Sequence, residues 1–215
     1  MPWESADNNL MSVAVMVDDP QSLPTKPTGP LSPQHHRDLL IANKRATKIL
    51  GAAKLATFNA WTAAIFSVFS LVFGLFSISG LLIGAGLAVV ARNEFYGRNQ
   101  LRQFDPRSTQ LLGWNQMGFL TLLVAYSIWC IFSALTGPNP YEVYINDYPE
   151  LTSTLEPMMH LHVTLTLGAY GAVIVLSVIF QGLNALYYFK RGKLLHTYLH
   201  QTPAWIVDLQ RRSSV

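Results

Sequence analysis

The sequence predicts an all-α integral membrane protein: four antiparallel transmembrane helices in two hairpins, with amphipathic juxtamembrane helices on the cytoplasmic side. Three observations predict it. Half of the 215 residues are hydrophobic and only 13% are charged, against roughly 25% in an average soluble protein. The charges are missing from three blocks, Leu55 to Ala91, Ser108 to Tyr141 and Pro157 to Phe189, and these blocks are apolar nearly all round rather than on one face at period 3.6. The 37-residue run from Leu55 to Ala91 is too long for one crossing and suits two, because a spanning helix takes about 20 apolar residues.

Residues 1–31 carry Pro2, Pro20, Pro24, Pro27 and Pro30, with scattered acids and one short apolar patch, Leu10 to Val17, closed by Asp18 and Asp19. The patch lacks the basic flank and length of a secretory signal, so a Pro-rich, disordered tail is expected. Residues 32–54 read as an amphipathic juxtamembrane helix capped by Ser32 with Pro33 in its first turn. Arg37, Lys44, Arg45 and Lys48 fall on one side of it, opposite Leu39, Ala46, Ile49, Leu50 and Ala53. Such a helix is expected to lie in the membrane interface before the chain turns inward.

Residues 55–135 hold the first three spans. Ala60, Ser67 and Gly74 in the first, and Gly80, Gly84 and Ala88 in the second, form small-residue series that let two helices approach closely. A turn is expected within Gly74 to Gly80. Beyond Ala91 the helix is expected to leave the apolar zone, with Glu94 and Arg98 as an i, i+4 surface pair and Asp105-Pro106 as its stop. The connector, residues 92–110, is basic. Trp114 and Trp129 bracket the third span as interfacial aromatics. Residues 136–160 form an acidic loop, since Glu142, Asp147, Glu150 and Glu156 occur there without one Lys or Arg. The fourth span takes residues 161–189, and the basic tail, 190–215, contains a second amphipathic stretch around Trp205, Ile206 and Leu209.

All fifteen Lys and Arg lie before the first span, in the 92–107 connector or after the fourth span. The positive-inside rule then places both termini and that connector in the cytoplasm, in a plasma or inner membrane. This placement explains the basic balance through lipid headgroups, and nucleic acid is not expected as a partner. The expected partners are the lipid bilayer and a membrane-protein partner or a second copy of the chain.

Catalytic, cofactor and metal residues are expected to be absent. No Walker, GxSxG, HExxH or dinucleotide motif occurs, and Cys130 is the single cysteine. Asp147, Glu150, Glu156, His160 and His162 have the chemistry to hold a divalent cation, but His160 and His162, two apart, face different ways on a helix. A solvated acidic loop accounts for them. No two spans offer histidines at matching depth for haem.

The polar residues that do enter the spans form one layer. Asn59, Asn115, Gln116, Gln181 and Asn184 all lie five to nine residues from the basic edge, roughly 7 to 14 Å deep at ~1.5 Å per residue. An unpaired amide in hydrocarbon costs several kcal/mol, so at least three of them are expected to bond between helices; a pocket for a ligand or headgroup is the rival reading. The functional expectation is a non-catalytic accessory, assembly or scaffolding protein, with an oligomeric small channel or carrier as the alternative.

Overall fold

The computed structural model describes residues 31–75, 77–139 and 141–213, which are predominantly helical with no strand among them. The Pro-rich tail expected for residues 1–31 falls, apart from Leu31, outside them. The elements are α1 (Pro33–Gly74), α2 (Ile78–Arg102), α3 (Ser108–Thr136), α4 (Glu142–Asp147), a 3₁₀ turn at Pro149–Leu151, α5 (Thr152–Gln201) and α6 (Ala204–Ser213). Four helices are long and apolar enough to cross a membrane: α1, α2, α3 and, counted with its leading turn, α5.

Ser32 caps α1, its Oγ accepting from the His35 amide at 3.2 Å with Pro33 leading the first turn. The expected bend between a juxtamembrane helix and the first span does not occur, since α1 runs unbroken for 42 residues, about 63 Å at ~1.5 Å per residue. The reason lies in its buried positions. Ala42, Ala46, Ile49, Ala53, Ala56, Ala60, Ala63, Ser67 and Gly74 are all buried, and their spacing alternates between four and three, with one step of seven at the end. That alternation keeps one seam toward a neighbour along the whole helix, so the segment before Leu55 packs on protein with the same face as the span.

Glycine sets the approach at the far end of α1. A Cβ on Gly74 would stand 2.5 Å from the backbone of Gly80, and one on Gly84 would stand 2.7 Å from Leu71. Ser67 donates from Oγ to the Gly84 carbonyl at 2.8 Å, and Ala63 packs with Val90 and Ala91. Ala88, expected in this contact, is exposed. Steps of four drift by about 40° each on a helix with ~3.6 residues per turn. The third member of the small-residue series has therefore rotated off the seam, and Leu87 and Ala91, both buried, occupy it.

α2 ends at Arg102, three residues before Asp105-Pro106, because Phe104 turns into the left-handed region at φ 55°. The strain is held by burial: Phe104 is fully enclosed, its ring 5.0 Å from that of Tyr198. Phe104 belongs to one hydrophobic cluster that also takes in Ala46 and Ile49 of α1, Leu112 of α3, Leu195 of α5 and Ile206 of α6. This cluster sits at the end of the molecule that carries the basic residues. The stretch expected as an interfacial helix around Trp205 is α6, and it buries Ile206 and Val207 in this core while Arg211 donates to the Gln103 carbonyl at 2.9 Å. The bulky residues of the apolar blocks, by contrast, face outward, among them Phe58, Phe69, Leu82, Val175 and Ile179.

The block expected as an acidic loop, residues 136–160, is largely helical: α4, the 3₁₀ turn and the first turns of α5 with Pro157 inside. Its acids are exposed, so their charge does not oppose helix formation through burial.

Gly74→Leu should lower stability by about 1–3 kcal/mol, as overpacking does, whereas Gly168→Leu, with nothing within 4 Å of its added carbon, should leave it unchanged. Thermal unfolding followed by circular dichroism in mild detergent reads both.

Candidate functional site

The seam on α2 runs through Gly84, Leu87, Ala91 and on to Glu94, Gly97 and Leu101, all buried. A carboxylate thus lands on a packing position. Glu94 is fully enclosed instead of pairing with Arg98, whose guanidinium binds the Asn99 side chain at 2.9 and 3.1 Å and lies over the Phe95 ring. The expected surface pair is absent because Glu94 lies on the buried seam, whereas Arg98, one step of four further on, is rotated about 40° off it and is only half-buried.

Glu94 gathers donors from two other helices. Its Oε1 accepts from Asn115 Nδ2 at 3.0 Å and Gln116 Nε2 at 2.7 Å, both on α3, and its Oε2 accepts from the Tyr188 hydroxyl of α5 at 3.4 Å. Tyr188 in turn accepts from Asn59 Nδ2 of α1 at 3.3 Å. Asn115 also donates to the Val90 carbonyl at 3.1 Å, and its Oδ1 accepts from Asn93 at 3.1 Å. One polar network therefore joins α1, α2, α3 and α5. Neighbouring Asn115 and Gln116 can both reach Glu94 because Gly97 and Gly113 let helices close in: a Cβ on Gly97 would meet Leu112, and one on Gly113 would meet the Phe189 ring, each within 2.6 Å.

Of the polar layer read from the sequence, Asn59, Asn115 and Gln116 bond across helices in this network. Gln181 and Asn184 stand apart from it and line an adjoining cavity of about 490 Å³. The Oε1 of Gln181 is buried with no hydrogen-bond partner among the described residues. Glu94, Gln116 and Asn59 border the same cavity, and the rest of its wall is largely apolar, with Phe58, Phe66, Phe119 and Phe180 prominent. It exists because α1 packs chiefly on α2, and α3 on α5, while α1 and α5 touch much less.

Sequence reasoning missed Glu94 and Tyr188. The signal for Glu94 was present: steps of three and four from Gly80 through Gly84, Leu87 and Ala91 arrive at residue 94. Among the described residues, no Lys, Arg or His lies within ion-pair distance of Glu94, the single ion pair being Arg211 with Asp208 at 3.6 Å. The network is thus one acceptor surrounded by neutral donors.

Four helices of spanning length and apolarity, joined by buried polar bonds, are consistent with a multi-pass integral membrane protein. Comparison of the chain with protein-family models, with curated proteins and with solved structures returns no match.

Glu94→Ala leaves donors from Asn115, Gln116 and Tyr188 without their acceptor, and each buried group so stranded costs about 1–3 kcal/mol. Its melting temperature in mild detergent should fall well below that of Glu94→Gln, which retains an acceptor oxygen. Equal melting temperatures for the two variants would contradict the network.

Proposed function

We propose that the protein is a non-catalytic membrane component with an accessory, assembly or scaffolding role, working through helix packing and contacts with lipid or a membrane-protein partner. The observation that carries this reading is how the polar groups are used. Asn59, Glu94, Asn115, Gln116 and Tyr188, from α1, α2, α3 and α5, bond to one another and tie those helices together, and the basic end is consolidated into a core spanning five helices. A rigid base with outward apolar faces suits a protein that holds others in place.

The topology that goes with this reading is antiparallel. Gly74 beside Gly80, Ser67 bonded to Gly84 and Ala63 against Val90 support a hairpin of α1 and α2, and the basic cluster supports cytoplasmic termini. A plasma or inner membrane is the proposed location.

The second reading, an oligomeric small channel or carrier, draws on the cavity between α1 and α5. Reconstitution separates the two. Purification in mild detergent should retain a stoichiometric membrane-protein partner, and proteoliposomes of the chain alone should carry no ion flux; a monodisperse homo-oligomer that conducts would replace the first reading with the second. For topology, in a Cys130→Ala background a cysteine at Tyr148 should react with a membrane-impermeant maleimide on intact cells while one at Lys193 should not. The reverse pattern would invert the orientation.

A further inference from the structure

The hydrogen bonds around Glu94 all point the same way. Asn59 donates to Tyr188, Tyr188 donates to Glu94, and Asn115 and Gln116 donate to Glu94. Each donor chain ends on an acceptor. Nothing cationic among the described residues lies within ion-pair distance, and a buried carboxylate without a counter-charge is expensive. The Tyr188 contact to Oε2, at 3.4 Å, is near the limit of a hydrogen bond, which leaves that oxygen accepting capacity. A second acceptor, Oε1 of Gln181, is buried without a partner among the described residues, and Gln181 lines the same cavity. Both deficits are met by one kind of group: a cation with several N–H donors.

The rest of the cavity sets what the cation is attached to. Its volume of about 490 Å³ falls in the range of about 300–1,000 Å³ typical of small-molecule sites, and its remaining wall is dominated by phenyl and aliphatic side chains. Phe58, Phe66 and Phe180 of that wall are themselves exposed, so the cavity is open to the apolar exterior.

We propose that this cavity binds a lipid-like primary amine, with the ammonium against Glu94 and Gln181 and the hydrocarbon body between the phenyl rings. An anionic head brings no N–H donor to Glu94 or Gln181, and a hydroxyl brings one donor and no charge. A bare metal cation leaves the apolar part of the cavity unfilled. The inference goes beyond the scaffold reading and does not depend on it.

The test uses full-length protein in phosphatidylcholine nanodiscs at neutral pH, with tritiated dodecylamine as the probe. Saturable binding near one per chain is expected, with a raised melting temperature. Glu94→Gln should weaken the apparent Kd at least about thirtyfold, because it removes one member of a buried charge pair. Leu123→Trp, which fills the apolar wall without touching the Glu94 network, should weaken binding comparably and keeps the test alive if Glu94→Gln does not fold. Unchanged binding by a folded Glu94→Gln, or by Leu123→Trp, would overturn the proposal. So would equal competition by dodecanol or dodecanoate, or stabilisation by sodium chloride over choline chloride with no effect of the amine, which would assign a bare cation instead.

Discussion

Close approach of helix backbones along an alternating three-and-four seam is the constraint on which the remaining structure depends. In hydrocarbon, apolar side chains gain nothing by leaving lipid for protein, so helices associate through close packing and polar bonds. The chain supplies the first with alanine, serine and glycine from Ala42 to Gly74 and with Gly84 and Gly97 on α2. Once α1 and α2 lie this close, any residue on the seam is enclosed whatever its chemistry. Glu94 is enclosed for that reason, and its burial then obliges Asn115, Gln116 and Tyr188 to meet it.

The same seam ties the membrane-length part of the molecule to its basic end. Because α1 does not bend at Lys54, the face that carries Ala60 and Ala63 also carries Ala46, Ile49 and Ala53 into the cluster with Phe104, Tyr198 and Ile206. The basic end is packed in the manner of a soluble domain, with large side chains fully enclosed. The apolar blocks keep their bulky residues outside. The two halves answer to different solvents, and a helix of 42 residues and one of 50 cross from one regime to the other without a joint.

Where the packing is loose, polarity collects. α1 and α5 meet less than α1 with α2 or α3 with α5, and the cavity left among the helices borders Glu94, Gln181 and Asn184. Among the described residues Gln181 keeps an acceptor without a donor there, and a buried polar group left so calls for a physical explanation.

Composition and the placement of charge were enough for the class of fold, because a run of 37 uncharged residues and a helix propagating through it are local properties. The cap at Ser32, the small residues facing one another at Gly74 and Gly80, and the cross-helix bonds of Asn59, Asn115 and Gln116 lie near what the pattern of residue types suggested. Ala88, the bend at Lys54 and the Glu94–Arg98 pair were misread, each from counting steps of four or judging a segment by its own composition instead of following the seam onward. Which donors converge on Glu94, that Tyr188 joins them from 94 positions away, and that Gln181 and Asn184 border a cavity were decided by tertiary structure alone. Those are distances between helices, and no spacing along one helix contains them.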